Sequence, residues 1–249
     1  MWCNLITFIK KYFDGSKQLL QPVVKFIMNV SDALKLRKST RAFLDKPVAK
    51  ETIVRILDAA RHAPSGTNTQ PWQVAVVTGN QKKKLDKLIE TEFHTGGEGK
   101  MAYNYYPQNW VEPYQSRRRA CGLQLFSAVG ITREDKDRRL QQWAANYRAF
   151  DAPVVMYFFL DEILEIGSFM DYGMFLQSVM LAAVGEGLAT CPQAALAQYP
   201  DIIRGELGYS EDKILLCGMA LGYEDSSAAI NQYRTPREQV ETFTRFYSE

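Results

Sequence analysis

Arg37-Lys38-Ser39-Thr40-Arg41-Ala42-Phe43 and, about a helix further on, Ala63-Pro64-Ser65-Gly66-Thr67-Asn68-Thr69-Gln70-Pro71-Trp72 decide how this chain is read. In an extended strand, residues two apart share a face, so Arg37, Ser39 and Arg41 converge while Lys38 and Thr40 turn away. Two guanidinium forks and a hydroxyl suit a phosphate, because charge-assisted bidentate bonds fix position and angle together. A second explanation stays open for this stretch alone. Ser31 to Arg37 reads as a short helix, and basic residues complement the carbonyls at a helix end. The second stretch is an uncharged run of hydrogen-bonding groups held between Pro64 and Pro71, where each proline pushes the preceding residue toward extended geometry. Neutral donors and acceptors suit the edge of a heterocycle, although composition fits an ordinary polar loop equally well.

Between the two lies a predicted helix from Val48 to His62, with Ile53, Ile56, Leu57 and Ala60 on one face. In this order and spacing the two motifs resemble those of the nitroreductase family of FMN-dependent oxidoreductases: an Arg-x-Ser-x-Arg opening, a helix, then a Pro-Ser-x-x-Asn-x-Gln-Pro-Trp loop. The resemblance runs from about Ser31 to the C-terminus and is greatest to the nitrobenzoate-reductase-like branch. It implies an α+β fold with a central mixed β-sheet flanked by helices, an intertwined homodimer, and FMN held noncovalently at the dimer interface.

Composition is ordinary for a soluble globular domain. The 249 residues are 46% hydrophobic and 23% charged, and 30 basic against 28 acidic residues leave a net charge of +2. So even a balance argues against general nucleic-acid binding. Cys3, Cys121, Cys191 and Cys217 are scattered without C-x-x-C spacing, which fits a reducing, cytoplasmic setting better than a disulfide scaffold. With only His62 and His94 in the chain, a histidine-built metal centre or triad is poorly supplied.

Residues 1–30 are read as a separate extension of two short amphipathic helices. Packing on the body or on a partner subunit is preferred to contact with a membrane surface, because amphipathic helices mostly face a core. Residues 31–249 then form a single domain. Gln73 to Thr78 reads as a strand, followed by a charged helix from Gln81 to about Phe93. Residues 95–148 are an aromatic and basic excursion, with a polar helix from Arg133 to Tyr147. Val154 to Leu160 is a continuous apolar run suited to a strand buried on both faces. Ser168 to Gly185 is a helix apolar almost all round, destined for the interior or for a subunit interface. Ile214 to Tyr223 is another buried strand, and a last helix is predicted from Pro236 to about Tyr247. Cys191 has no basic neighbour in the sequence to activate it and reads as a small buried residue.

The resemblance also implies roles for individual residues. Arg37, Ser39 and Arg237 would hold the FMN phosphate, with Arg234 as a second contact from the tail and Lys38 on ribityl or phosphate. Arg41 would support the negative charge of the reduced flavin. Ser65 and Asn68, with Pro64, Gly66 and Gln70 of the same loop, would reach the ring or ribityl chain from the neighbouring subunit. Pro192, Gln193 and Ala194 would lie along the ring, and Asn146 would meet its pyrimidine edge. Residues 95–148 would roof the site, with Tyr103, Tyr105, Tyr106, Trp110 and Phe126 lining the acceptor pocket. The implied activity is a ping-pong transfer of electrons from NADH or NADPH to nitroaromatics, quinones or similar flat acceptors. Reductive dehalogenation, alkene reduction or flavin binding without turnover are the alternatives on the same fold.

Overall fold

The computed structural model describes residues 28–97 and 99–248. Most of the extension expected over 1–30 therefore lies outside the described residues. Four strands, β1 (Gln73–Thr78), β2 (Val154–Asp161), β3 (Ala189–Gln193) and β4 (Lys213–Gly222), form one sheet in the order β1-β2-β4-β3. Every ladder in it is antiparallel. The mixed character expected of the sheet is confined, among the described residues, to an isolated parallel bridge between Ser39 and Thr190 at its β3 edge.

β2 is the core. Its alternation sends Val154, Met156, Phe158 and Leu160 into one apolar cluster, and Val155, Tyr157 and Phe159 into another on the opposite face. The first cluster is closed by α2 (Lys50–Ala60) and α6 (Ser168–Gly185), the second by α3 (Gly79–His94) and α7 (Pro200–Leu207). Each large side chain buried in this way stabilises the fold by about 1.5–3 kcal/mol. The predicted α6 and β1 have the observed bounds; α2 begins two residues later and ends two earlier than predicted, within the usual fraying of helix ends.

Before α2 comes α1 (Val30–Leu36), whose first turn is capped by the Asn29 side chain accepting from the Asp32 amide at 2.9 Å. The 95–148 excursion contains α4 (Tyr114–Ala128) and α5 (Lys136–Ala144), followed by a 3₁₀ segment over Ala145–Asp151. The polar helix predicted from Arg133 to Tyr147 is thus shorter, its end tightening into 3₁₀ geometry. No residue of α4 is buried.

The register of β2 against β4 slips between Phe158 and Phe159, which pair with Cys217 and Leu215 and leave Leu216 without a partner in the ladder. The Tyr103 hydroxyl donates to the Leu216 carbonyl and closes that gap. The tail corrects the prediction most. In place of a helix from Pro236 to Tyr247 there is only one turn, α8 (Val240–Phe243). Phe243, Phe246 and Tyr247 are 71%, 85% and 86% exposed, so among the described residues nothing covers the apolar face, and a short helix without tertiary support is marginal. Among the described residues no helix is long and apolar enough to cross a membrane.

Candidate functional site

The segment after α1 is extended and threaded between two distant parts of the chain. The Thr40 amide donates to the Thr190 carbonyl on β3 at 3.0 Å. The Arg41 amide donates to Asn231 Oδ1 at 2.9 Å, and Asn231 Nδ2 donates to the carbonyls of Ala42 and Asp225, each at 2.9 Å. Thr40 is buried by this threading, while Arg37, Ser39 and Arg41 remain half-buried. These three line a cavity of about 460 Å³ together with Asn231, Tyr233, Arg234, Thr235 and Arg237. The two ends of the chain therefore meet at one hollow.

Its charge is one-sided. Lys35, Arg37, Lys38, Arg41, Arg234 and Arg237 border it, and among the described residues no carboxylate does. Burial, and after it the neighbouring Arg237 and Arg234, hold the Arg37 guanidinium below its ordinary pKa. A buried cation pressed by like charges is a site prepared for an anion. Arg234 donates to the carbonyls of Leu36 at 2.9 Å and Arg37 at 2.7 Å, so it also caps the end of α1. Arg237 is folded onto Thr235 and Pro236 of its own chain. Lys38 departs from the role implied for it. Its ammonium pairs with Glu224 at 2.7 Å and donates to the Asn231 carbonyl, so its charge is already matched and its bonds tie the strand to the tail.

Arg41 borders a second cavity as well, of about 740 Å³, walled by Tyr106, Phe126, Trp143, Asn146 and Phe150 and by basic residues of the excursion. Its guanidinium lies 6.0 Å from the centre of the Phe150 ring and donates to the Ser39 carbonyl at 3.2 Å. Asn146, placed on this wall, accepts from Gln193 Nε2 through its carbonyl at 2.8 Å. Pro192, Gln193 and Ala194 line a third cavity of about 690 Å³ with Tyr103, Tyr105 and Phe169.

The five aromatics expected in one acceptor pocket are therefore divided. Tyr106 and Phe126 line the cavity bordered by Arg41 and Tyr103 and Tyr105 the third one, but Tyr105 packs edge-on against Tyr106 with ring centres 4.7 Å apart, so the two linings are contiguous, and Trp110 stacks under the Arg118 guanidinium at 5.0 Å. Tyr103 is held there by the Leu216 carbonyl, a packing role that sequence composition does not reveal.

The Pro64–Gln70 loop is also elsewhere. The Gly66 amide donates to Asp171 in the first turn of α6 at 3.1 Å, and the Gln70 amide donates to Ser65 Oγ at 2.9 Å. Thr67, Asn68 and Gln70 are held at φ of 49°, 60° and 49°, a left-handed geometry that non-glycine residues adopt at a cost. Trp72, closing the motif, stacks on Phe175 with ring centres 4.7 Å apart. Pro64, Gly66, Asn68 and Gln70 are exposed and Ser65 is half-buried, and none of them lines the arginine cavity. Within one chain the two motifs do not converge.

Asn231 is the residue that sequence reasoning missed. It is only 3% exposed and its side chain bonds three backbone groups on two segments, yet nothing in a polar tail marks one asparagine as buried. Cys191 is a partial correction. Arg41 and Arg37 do lie near it, but burial outweighs them and pushes its thiol up to about 11; Cys217 is pushed up to about 12. Iodoacetamide at pH 8 is expected to label exposed Cys121 in the native protein and spare Cys191 and Cys217. Peptide mapping that finds Cys191 labelled at the rate of Cys121 contradicts this.

The Nitroreductase family profile matches residues 34–223. The chloronitrobenzene nitroreductase of Comamonas testosteroni is 39% identical over 221 residues, 88% of this chain and 97% of that protein. The 4-nitrobenzoate reductase of Pseudomonas putida is 36% identical over 210 residues, 84% of this chain and 92% of that one. Among solved structures, the FMN-dependent nitroreductase NfnB of Mycobacterium smegmatis in complex with NADPH is 35% identical. It superposes with a TM-score of 0.84 over 88% of this chain and 97% of its own.

Proposed function

This chain belongs to the nitroreductase family, and from that premise we propose that it is an FMN-dependent oxidoreductase carrying electrons from NAD(P)H to nitroaromatic acceptors. One observation carries the reading: a hollow lined by Arg37, Ser39, Arg41 and Arg237 with no carboxylate on its wall. FMN fits that donor set, since a phosphate monoester supplies the negative charge that the arginines lack.

When bound, FMN accepts a hydride from the nicotinamide and releases electrons to the acceptor. Arg37, Ser39 and Arg237 hold the phosphate. Arg234 acts a step further back, fixing the end of α1 and hence Arg37. Arg41, standing between the arginine cavity and the larger one, supplies a preorganised positive charge for the reduced cofactor. Asn146 and Gln193, joined to each other, offer neutral polar groups to a heterocycle edge. Solvent can deliver the protons, so the scheme needs no acid–base residue from the chain.

We take residues 31–249 as one FMN-binding domain with 95–148 as its cover, working as a homodimer in the cytoplasm. Three features support the dimer: the distance of the Ser65–Gln70 loop from the arginine cavity, the apolar α6 with Gly173 open on its surface, and the uncovered aromatic tail. A partner's loop then completes the cofactor site from outside.

The purified protein is expected to be yellow, to bleach anaerobically on adding NADPH or NADH, and to regain colour with 4-nitrobenzoate. Failure of either nucleotide to bleach a bound flavin overturns the enzymatic reading. In sedimentation, dilution to monomers is expected to release the flavin; a monomer that keeps it overturns the dimeric site.

A further inference from the structure

The excursion over residues 95–148 carries more positive charge than covering a flavin requires. Arg118 and Arg119 on α4, Arg133 in the following loop and Arg139 on α5 line a cavity of about 880 Å³. Gly122, Phe126, Arg133 and Arg139 border this cavity and also the one that reaches Arg41. The two form a continuous groove, from the residue beside the flavin site out to a basic end.

No carboxylate lines either part. The acids of this region are Glu98, Glu112, Glu134, Asp135 and Asp137. Asp135 is taken up by the Thr132 amide at 2.8 Å and by Arg138. Among the described residues the four arginines named have no ion-pair partner. Arg139 instead lies 4.9 Å from the centre of the Phe126 ring, and Arg118 lies over Trp110. Stacking on a ring leaves the edge of a guanidinium open to accept an anion in its plane.

A single carboxylate, such as an anionic acceptor carries, is satisfied by one guanidinium fork. Four unpaired arginines answer a larger charge. A ribose 2′-phosphate bears about −1.5 to −2 near neutral pH, by analogy with other phosphate monoesters. Resting on the reading above, we propose that Arg118, Arg119, Arg133 and Arg139 form a subsite for the 2′-phosphate of NADPH and make this enzyme prefer NADPH to NADH. The groove sets the polarity: nicotinamide toward Arg41, adenosine phosphate at the basic end.

The test is calorimetric titration of the oxidised holoenzyme with NADP⁺ and NAD⁺, alongside steady-state KM values for NADPH and NADH. Wild-type protein is expected to bind NADP⁺ more tightly, with the preference shrinking as salt rises from 0.05 to 0.5 M, because exposed charges are screened within about 8 Å at physiological salt. In Arg119→Ser/Arg133→Ser, NADP⁺ affinity is expected to fall about tenfold or more, as for loss of charge-assisted bonds, with NAD⁺ affected much less. Arg119→Lys/Arg133→Lys is expected to keep most of the preference. Equal weakening of both nucleotides overturns the proposal, as does a wild-type enzyme indifferent to the 2′-phosphate. So does a variant that changes KM for 4-nitrobenzoate relative to nitrobenzene while NADP⁺ binding holds. The bound-flavin spectrum and its bleaching by NADH in the same samples separate these outcomes from failure of the enzymatic reading. Should the serine variant not fold, the wild-type preference and its salt dependence decide.

Discussion

Exchanging Arg37 and Arg237 together for glutamine is expected to yield a folded protein that no longer retains FMN. Each arginine offers the phosphate a charge-assisted bond with a net value of about 1.5–3 kcal/mol. Losing two therefore raises the dissociation constant by roughly two to four orders of magnitude. The effect on the empty protein has the opposite sign. Arg37 is held below its ordinary pKa by burial and by the other two arginines, so removing two of three mutually repelling cations relieves the fold. Melting curves with and without FMN check both halves of the argument. The variant's flavin-free melting temperature should equal or exceed that of the wild type, and added FMN should no longer raise it. A variant that purifies yellow with unchanged affinity removes the phosphate from this cavity.

Asn231→Leu carries the largest expected loss of stability. The side chain accepts from the Arg41 amide and donates to the carbonyls of Ala42 and Asp225. Leucine leaves these three backbone groups in a closed environment without partners, at about 1–3 kcal/mol apiece before relaxation. A total near 3–5 kcal/mol is large for a single substitution. For a domain of this size it corresponds to a fall of about 10 °C or more in melting temperature. Flavin affinity should fall too, since the strand holding Arg37 and Arg41 loses its anchor. Asn231→Asp separates the two effects. It keeps an acceptor for Arg41, loses both donors, and sets a negative charge at the cavity wall against the phosphate. Calorimetric melting and flavin titration together check this, and a leucine variant as stable as the wild type refutes the anchoring role.

What the sequence made legible was whatever a local pattern determines. The apolar run of β2 could only be a strand buried on both faces, and the near-uniformly apolar α6 could only lie in the interior or at an interface. Alternation along Arg37–Arg41 brought the two arginines and Ser39 to one side. Where partners come from far along the chain, the pattern is silent. The tail from Pro236 has helical spacing, but helicity there needs a surface to pack on, and none is supplied among the described residues. The Pro64–Gln70 loop has groups suited to a cofactor edge, yet α2 and Asp171 carry it away from the arginines. Tyr103 and Tyr106, three residues apart, line different cavities, and the hydroxyl of the first is taken by the Leu216 carbonyl at the register slip. Lys38 belongs to the same motif as Arg37, but Glu224 is 186 positions away in sequence and takes its charge.

The joining of residues 37–42 to Asn231 sets a condition on when the protein becomes able to take up its cofactor. The bond from Lys38 to the Asn231 carbonyl spans 193 positions, and such long-range closures form late because the intervening chain must first be ordered. A ribosome has to extrude everything from residue 37 to residue 237 before Arg37 and Arg237 can meet at one cavity. Nascent chains and fragments broken off ahead of that point carry the signature motifs but have no grip on a phosphate. On the proposed reading, flavin capture requires everything from Arg37 to Arg237 on one chain, and colour in a cell extract counts the chains that have all of it.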